Sequence, residues 1–183
     1  MKTNTEDLFF IPKIIYFVNR TCTPDWVIER QQIDFHDFTF VLEGEGEYIV
    51  DDVVYPVTKG ALVYIPPGSW REAKTSAENP LTLYAFNMFL FDKDFKPATL
   101  PLPIKSQLEY DPKVDHLLER IRQYNALREA TSSMQATAQL MEVFSQVLVN
   151  LGVVQGTGSD PRVQKAAAYV TENISRHISA AEI

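Results

Sequence analysis

The sequence is poor in cysteine and histidine, the residues that build disulfide scaffolds and many metal centres. Its 183 residues include one cysteine, Cys22, and three histidines, His36, His116 and His177. A lone cysteine excludes an internal disulfide and is typical of a protein from a reducing cytosol. Cys22 has no histidine neighbour in sequence, and His116 and His177 stand far from any acid or nucleophile. We therefore assign catalysis to none of these three residues.

Positive charge and long apolar runs are also scarce. Lysine and arginine number 17 against 24 aspartates and glutamates, which gives a net charge of −7 and a pI near 5.0. Such an acidic chain is poorly suited to binding phosphates, so we do not expect it to bind nucleic acid by itself. No segment approaches the ~20 apolar residues of a membrane span. The apolar residues 8–11 are followed by Pro12 and Lys13 without a cleavage site, which argues against a signal peptide. We expect a soluble cytoplasmic protein.

What the sequence does contain is a series of short apolar segments separated by turn residues. Hydrophobic residues make up 45% of the chain, enough for a real core. Between residues 36 and 71, turn signals occur at Gly44, Asp51-Asp52, Lys59-Gly60 and Pro66-Pro67-Gly68. Further strands are predicted over residues 14–18, 26–33, 71–75 and 81–91. This spacing predicts antiparallel sheet wound into a small β-barrel or sandwich.

After residue 92 the pattern changes from strands to helices. Residues 93–112 contain four prolines and lack periodicity, which indicates a connector laid over the barrel. Asp111-Pro112 predicts the start of one helix, and a second is predicted from Ser132 to Leu151, with Gly152 after it. The second helix has a stripe of apolar residues along one side: Met134, Ala138, Met141, Leu148 and Leu151. Further apolar residues widen this stripe into a broad arc: Leu140, Val143, Phe144 and Val147. Such an arc fits either a helix fully covered within one chain or a helix packed on its twin across a two-fold axis.

The predicted organisation therefore has three parts. Residues 1–110 form the β-barrel and its connector, residues 111–154 form the helix pair, and residues 155–183 begin with a polar, glycine-containing linker at 155–160. A further helix is predicted from residue 160. Ser179 and Glu182 then form a capping box that indicates the start of another helix.

Five residues connect this pattern with a known family. Gly60, Pro66 and Gly68 have the G-x5-P-x-G spacing of the second cupin motif, and Gly44 follows Asp37 by the seven residues of the first motif. Residues 26–92 resemble the cupin sensing domain of AraC-type transcription regulators. The resemblance implies a mainly β protein with C-terminal helices: a cupin-like double-stranded β-barrel (jelly roll) followed by an antiparallel helix pair. It also implies that residues 155–183 are a linker and the start of a helix-turn-helix domain, the rest of which we expect to follow.

Many cupins bind a metal through two histidines and a glutamate in the first motif and a histidine in the second. Here Asp37 stands at the glutamate position and Arg71, a permanent cation, at the second-motif histidine position. The remaining histidine positions fall on non-histidine residues: Gln31 and Ile33, or Arg30 and Gln32. His36 does not replace them, because neighbouring strand residues face opposite sides of a sheet. We therefore expect neither a metal nor another cofactor.

The barrel interior then becomes a predicted ligand pocket. By alternation, Thr39, Val41 and Glu43 share the face of Asp37, while Arg71 and Ala73 point inward by analogy with the family. A guanidinium buried in a barrel needs a partner. Arg30 or Arg71 should pair with Asp37 or Glu43 in the empty barrel, or with a ligand's carboxylate or vicinal hydroxyls, unless the ion pair is purely structural. Asn87 could hydrogen-bond a ligand, and three aromatic residues could provide a flat face for a sugar ring or simply pack in the core. The predicted ligand-binding set is Arg30, Asp37, Thr39, Arg71, Tyr84, Asn87, Trp26 and Trp70.

These observations lead to one main hypothesis and two alternatives. The main hypothesis is a non-enzymatic sensing and dimerisation domain that binds a small polar metabolite such as a sugar. It forms a homodimer through helices 112–151 and contacts DNA only through a C-terminal domain. One alternative is a small metal-independent cupin enzyme such as a sugar epimerase or isomerase, which needs a His or Tyr acid–base pair inside the barrel. The other is a ligand-free cupin that serves only as a dimerisation scaffold.

Overall fold

A computed structural model describes residues 9–109, 111–127, 129–153 and 169. The chain divides into one compact unit, Met1–Val153, and a second unit, Val154–Ile183, of which the structure describes Tyr169. The expectations for residues 1–8 lie outside the described residues. So do those for the linker at 155–160, the helix from residue 160 and the capping box at 179–182.

In the described part of the chain, nine strands form two antiparallel sheets. Sheet A has the order β1-β8-β3-β6-β9, and sheet B has the order β2-β7-β4-β5. Their bounds are β1 Ile11–Thr21, β2 Val27–Gln32, β3 His36–Glu43, β4 Glu45–Val50, β5 Val53–Thr58, β6 Ala61–Ile65, β7 Trp70–Thr75, β8 Thr82–Phe91 and β9 Lys105–Gln107. The two-sheet barrel predicted from the turn spacing is confirmed, and residues 9 and 10 lead into β1, an edge strand of sheet A.

The turns have the backbone geometry that their residues predict. Asp51 and Asp52 both have positive φ, 49° and 67°, and they connect β4 to β5. This is the geometry of a two-residue hairpin turn whose twist matches the paired strands. Gly44, with φ +80°, lies where a Cβ atom would come within 2.2 Å of the Pro80 carbonyl oxygen. Only glycine fits this position without a shift of backbone.

Alternation along the strands of sheet A separates two apolar cores. One face of sheet A packs against sheet B, with Val41, Val63 and Leu83 among the buried residues of that interior. The other face packs against the helices through residues such as Phe38 and Phe86. Because both faces of sheet A are covered, every residue of β6 is buried.

Two helices cover the outer face of sheet A. The first, α1, runs over Pro112–Leu127, and Asp111 caps it by accepting a hydrogen bond from the Lys113 N–H at 2.9 Å. The second, α2, runs over Ser132–Asn150. It is closed by Gly152, with φ +66°, and by a hydrogen bond from the Val153 N–H to the Leu148 carbonyl at 3.0 Å. Both predicted helices are thus confirmed to within a residue. Of the helices that the structure describes, none is both long and apolar enough to cross a membrane.

The broad apolar arc of α2 has a buried side and an exposed side. Leu140, Val143, Phe144 and Val147 are buried in the core beneath the helices. Met134, by contrast, is 67% exposed. Further along that side of the helix, Ala138 is exposed and Met141 is half-buried. The helix is therefore not fully covered within the described chain.

Candidate ligand-binding chamber

A chamber of about 400 Å³ opens between the two sheets. Strands from both sheets supply its walls, with Thr39 and Asn87 from sheet A and Tyr48 from sheet B. Trp26 lies immediately before β2 and also lines the chamber. A cavity of this size is large enough for a small ligand such as a monosaccharide.

The chamber contains a buried ion pair between the two sheets. Asp37 on β3 is 2% exposed and Arg71 on β7 is 8% exposed. The Nη1 atom of Arg71 donates a hydrogen bond to Oδ2 of Asp37. Two charges buried this deeply are stable only as a hydrogen-bonded pair. The partnership expected for a buried guanidinium is thus present, and the partner is Asp37.

Two hydroxyl groups extend this pair into a hydrogen-bonded chain. The Thr39 hydroxyl donates to Oδ1 of Asp37 at 3.1 Å, and the Tyr48 hydroxyl donates to Thr39 at 3.4 Å. Burial raises the pKa of Asp37, while the Arg71 guanidinium and the Thr39 hydroxyl act in the opposite direction. Burial, together with the negative charge of Asp37, raises the pKa of Tyr48, so its phenol keeps its proton.

Arg71 has one buried donor that the described residues leave without an acceptor. Its Nε–H has no hydrogen-bond partner among them, although the atom is inaccessible from outside. The guanidinium carbon lies 5.1 Å from the centre of the Phe35 ring, so the cation also packs against an aromatic face. Buried donors are almost always satisfied in folded proteins, so the unpartnered Nε–H is a costly feature of a residue that lines the chamber.

Five of the eight predicted ligand-binding residues line this chamber. They are Trp26, Asp37, Thr39, Arg71 and Asn87. Asn87 lies directly opposite Asp37 in the pairing of β3 with β8, so their side chains share the chamber face. Their role in binding stays a prediction.

Arg30 and Trp70 do not line the chamber, and the prediction that placed them there is corrected. Arg30 forms exposed ion pairs with Asp52 at 2.7 Å and Glu72 at 2.9 Å, and its guanidinium carbon lies 5.2 Å from the Trp70 ring centre. A bulge in β2 explains why Arg30 faces away from the chamber. Ile28 pairs with Ala73 but Gln31 pairs with Arg71, so one extra residue reverses the faces between them. Trp70 directly precedes the inward Arg71, and alternation alone turns it outward.

Tyr84 and Glu43 are also misplaced by the prediction. Tyr84 lies on the outer face of β8, where its hydroxyl donates to Glu119 of α1 at 3.3 Å. A register shift in the pairing of β3 with β8 falls between Val41 and Glu43, so Glu43 leaves the interior face and cannot pair with Arg71. Tyr84 and Glu43 instead line a second cavity, of about 620 Å³, between the barrel and α1. We take the smaller chamber as the candidate site because it contains the buried, unpartnered Arg71 Nε–H.

The predicted ligand-binding set lacked Tyr48 and Gln31, which also line the chamber, although Gln31 was one of the two alternatives for a first-motif histidine position. Tyr48 pairs with Ala73, a residue predicted to face inward, so its orientation follows once β4 is known to lie beside β7. Gln31 faces inward only because of the bulge in β2. Neither the strand neighbours nor the bulge has a recognisable sequence signal.

His36 faces away from the chamber, as alternation predicts. It is 3% exposed and lies in the core beneath the helices, with Nδ1 at 3.0 Å from the Tyr64 hydroxyl. Burial lowers the pKa of His36 to about 4, against a hydrogen bond to the Ala98 backbone that acts in the opposite direction. The imidazole is therefore neutral across the physiological range.

The chamber residues do not fit the metal that many cupins bind. Arg71 occupies the position of a histidine ligand and is already paired with Asp37, the single carboxylate on that face of β3. A guanidinium has no lone pair to offer a cation. Within the described ranges, no group of three or more His, Cys, Asp or Glu side chains is placed to hold a metal ion.

Comparison with known proteins supports the fold. Residues 31–87 match the family model described as a cupin domain, and no curated protein matches the chain. A predicted oxalate decarboxylase from Thermotoga maritima is 16% identical over 42% of this chain and 67% of its own, with a TM-score of 0.39. An oxalate decarboxylase from Bacillus subtilis is 19% identical over 39% of this chain and 20% of its own, with a TM-score of 0.35. The KdgF protein from a Halomonas species is 15% identical over 45% of this chain and 83% of its own, with a TM-score of 0.35. The fold class rests on the match to the cupin domain model, together with the two sheets and the helices. The predicted fold class, a mainly β cupin-type barrel followed by two helices, is confirmed.

Proposed function

We propose that this cupin barrel is the sensing domain of a cytoplasmic AraC-type transcription regulator. It binds a small polar metabolite such as a sugar in the chamber, it is not an enzyme, and DNA contact is left to a C-terminal domain. The observation that carries the proposal is Arg71, which lines a cavity of about 400 Å³ beside its buried partner Asp37 and has a buried Nε–H without an acceptor among the described residues.

A bound ligand would remove the cost of that unsatisfied donor. A buried polar group without a partner costs roughly 1–3 kcal/mol, and an oxygen atom of a ligand would restore the missing hydrogen bond. Thr39 and Asn87 line the same space and offer further polar contacts to a ligand with several hydroxyl groups. The open chamber favours this function over a scaffold whose interior is filled by side chains.

The side chains of the chamber also favour binding over catalysis. General acid–base chemistry needs a group that exchanges a proton near neutral pH. Among the described lining residues there is no histidine, because His36 faces the opposite core. Asp37 is held by Arg71, and burial keeps the Tyr48 phenol protonated.

One strand connects the chamber to the helices. Asp37 and Thr39 face the chamber, and Phe38 between them faces the other side of sheet A, where its ring meets that of Phe144 on α2 with centres 5.0 Å apart. A ligand that shifts β3 would therefore move a side chain packed against α2. Signalling requires that the ligand bind one arrangement of barrel and helices more tightly than the other.

The helix pair is proposed to join two copies of the chain. Met134 is largely exposed, and it shares one side of α2 with Ala138 and Met141. An apolar stripe at helical spacing that its own chain leaves uncovered suits an isologous interface with the same stripe of a second copy. The proposed homodimer uses helices within residues 112–151.

A thermal-shift screen of sugars and polyols against the full chain tests the sensing proposal. We expect at least one compound to raise the melting temperature saturably. In the variant Arg71→Lys, which keeps a cation beside Asp37 but lacks the Nε–H, affinity for that compound should fall about 10-fold or more. Arg30→Lys is the matched control, because Arg30 makes the same type of ion pair outside the chamber. Equal binding by both variants would show that Arg71 does not contact the ligand.

A further inference from the structure

The charge balance of the chamber separates two classes of ligand that a buried arginine could bind. A guanidinium is the usual partner of carboxylates and phosphates, and it also binds neutral hydroxyl and carbonyl oxygens. The arrangement around Arg71 decides between an anionic ligand and a neutral one.

The anion-binding side of Arg71 is already occupied by an internal carboxylate. Asp37 accepts a hydrogen bond from Arg71 Nη1 through Oδ2 and one from Thr39 through Oδ1. Both oxygens act as acceptors, which is the pattern of an ionised carboxylate. The pair is buried, so solvent cannot separate it at low cost.

The other charges of the chamber add no net positive field. Besides Asp37 and Arg71, the charged lining residues are Arg20 and Glu29, one of each sign. Arg20 is partly engaged, because its Nη2 atom donates to the Tyr16 hydroxyl at 2.9 Å. An anion entering the chamber would bring uncompensated charge or displace Asp37 and leave that carboxylate buried without its partner.

From these contacts we infer that the chamber selects a neutral, hydroxyl-bearing ligand and excludes carboxylates, because Asp37 holds the anion position on Arg71. This inference rests on the proposed function and specifies the chemical class of its ligand. The N–H groups of Arg71 that Asp37 leaves unbound donate to an uncharged oxygen, and the amide of Asn87, opposite Asp37 in the sheet, can both donate and accept. A hydroxyl group matches such neighbours because it also does both.

The exclusion of anions can be measured as a loss of binding affinity. Breaking a buried ion pair by removing one partner costs enough to weaken binding by about 100-fold or more. The matched uronic acid should therefore bind the wild-type chain at least about 100-fold more weakly than the sugar does. Equal affinity for the two compounds would overturn the inference and leave the sensing function intact.

A second experiment does not depend on knowing the ligand. Asp37→Asn preserves the shape of the side chain and removes its charge, which leaves Arg71 as an uncompensated cation. Acetate should then stabilise the variant saturably, by about 3–6 °C when its concentration exceeds Kd tenfold, and should leave the wild type no more stable than matched sodium chloride does. Acetamide, the neutral isostere of acetate, is the control and should stabilise neither protein in this way.

The outcomes separate the two proposals. Saturable stabilisation of the wild type by acetate, lost in Arg71→Lys, would show an anion site and overturn the inference. If Asp37→Asn does not fold in plain buffer, recovery of its fold by acetate is the expected result, and failure of acetate to restore it counts against the inference. A sugar screen without hits would instead defeat the sensing function, even if acetate distinguished the two proteins.

Discussion

His36 should make this protein lose stability in mild acid. Its Nδ1 lies 3.0 Å from the Tyr64 hydroxyl, and that hydroxyl accepts the Leu100 N–H at 3.0 Å. The phenol proton is therefore available to Nδ1, which acts as an acceptor. A proton added to Nδ1 would face the phenol proton and break this arrangement.

The direction and size of the effect follow from the pKa of His36. The unfolded chain takes up a proton as the pH falls through the ordinary value of 6.5, whereas the folded chain does so only near the lowered value of about 4. The contribution of neutral His36 to the free energy of unfolding is therefore fully present above pH 6.5 and is lost as the pH falls from 6.5 toward 4. At about 1.4 kcal/mol per pKa unit, the loss is about 2 kcal/mol between pH 7 and pH 5, and about 3 kcal/mol in total.

Urea unfolding at these two pH values measures the effect. His36→Asn removes the titration and keeps a side-chain oxygen that can accept the Tyr64 proton, so its loss between pH 7 and pH 5 should be smaller than that of the wild type by about 2 kcal/mol. His116→Asn is the matched control, because His116 lies exposed on α1 and this variant should behave like the wild type. If all three proteins show the same pH dependence, the reasoning about His36 is refuted.

Two further predictions concern the turn at Gly44 and the apolar stripe on α2. Gly44→Ala should destabilise the barrel by more than about 2 kcal/mol, because its Cβ would meet the Pro80 carbonyl. Gly68→Ala is the control: Gly68 has φ +92° and open space around it, so this change should cost about 1 kcal/mol. Chemical denaturation compares the two variants, and equal losses of stability would contradict the steric argument. Met134→Glu should raise the dissociation constant of the proposed dimer by about 10-fold or more, as measured by sedimentation. The control Val53→Glu changes an exposed apolar residue on sheet B and should leave the dissociation constant unchanged. An unchanged dimer in both variants would exclude this stripe as the interface.

The strands could be predicted from sequence because their turns have strict chemical requirements. Gly44 and Gly60 have positive φ, and Asp51-Asp52 forms a hairpin turn that joins two short apolar runs. These residues fixed the segment boundaries and with them the cupin motif spacing. The helices were equally accessible, since Asp111 and Gly152 mark a beginning and an end by hydrogen bonds local to the chain.

The site was only partly predictable, for two different reasons. Trp70 and Tyr84 could have been excluded from the sequence, because the alternation that separates His36 from Asp37 also separates Trp70 from Arg71 and Tyr84 from Asn87. Arg30 could not, because its outward direction depends on a bulge that appears only when β2 is paired with β7. Pairing between distant strands carries no local signal, and a single extra residue reverses every side chain beyond it.

The Asp37–Arg71 pair explains how a cupin barrel can lack the usual ligand set and still hold its sheets together at the chamber. Asp37 belongs to sheet A and Arg71 to sheet B, two sheets whose described strands do not pair with one another. A metal bound to both motifs would connect the same two positions, since its ligands come from both. The ion pair makes this connection with two side chains 34 residues apart, and Arg71 also lines the cavity. A ligand bound to Arg71 would therefore be linked to both sheets at once, and through the neighbouring Phe38 to α2. Under the proposed function, Arg71 would thus hold the ligand where it can influence the helices.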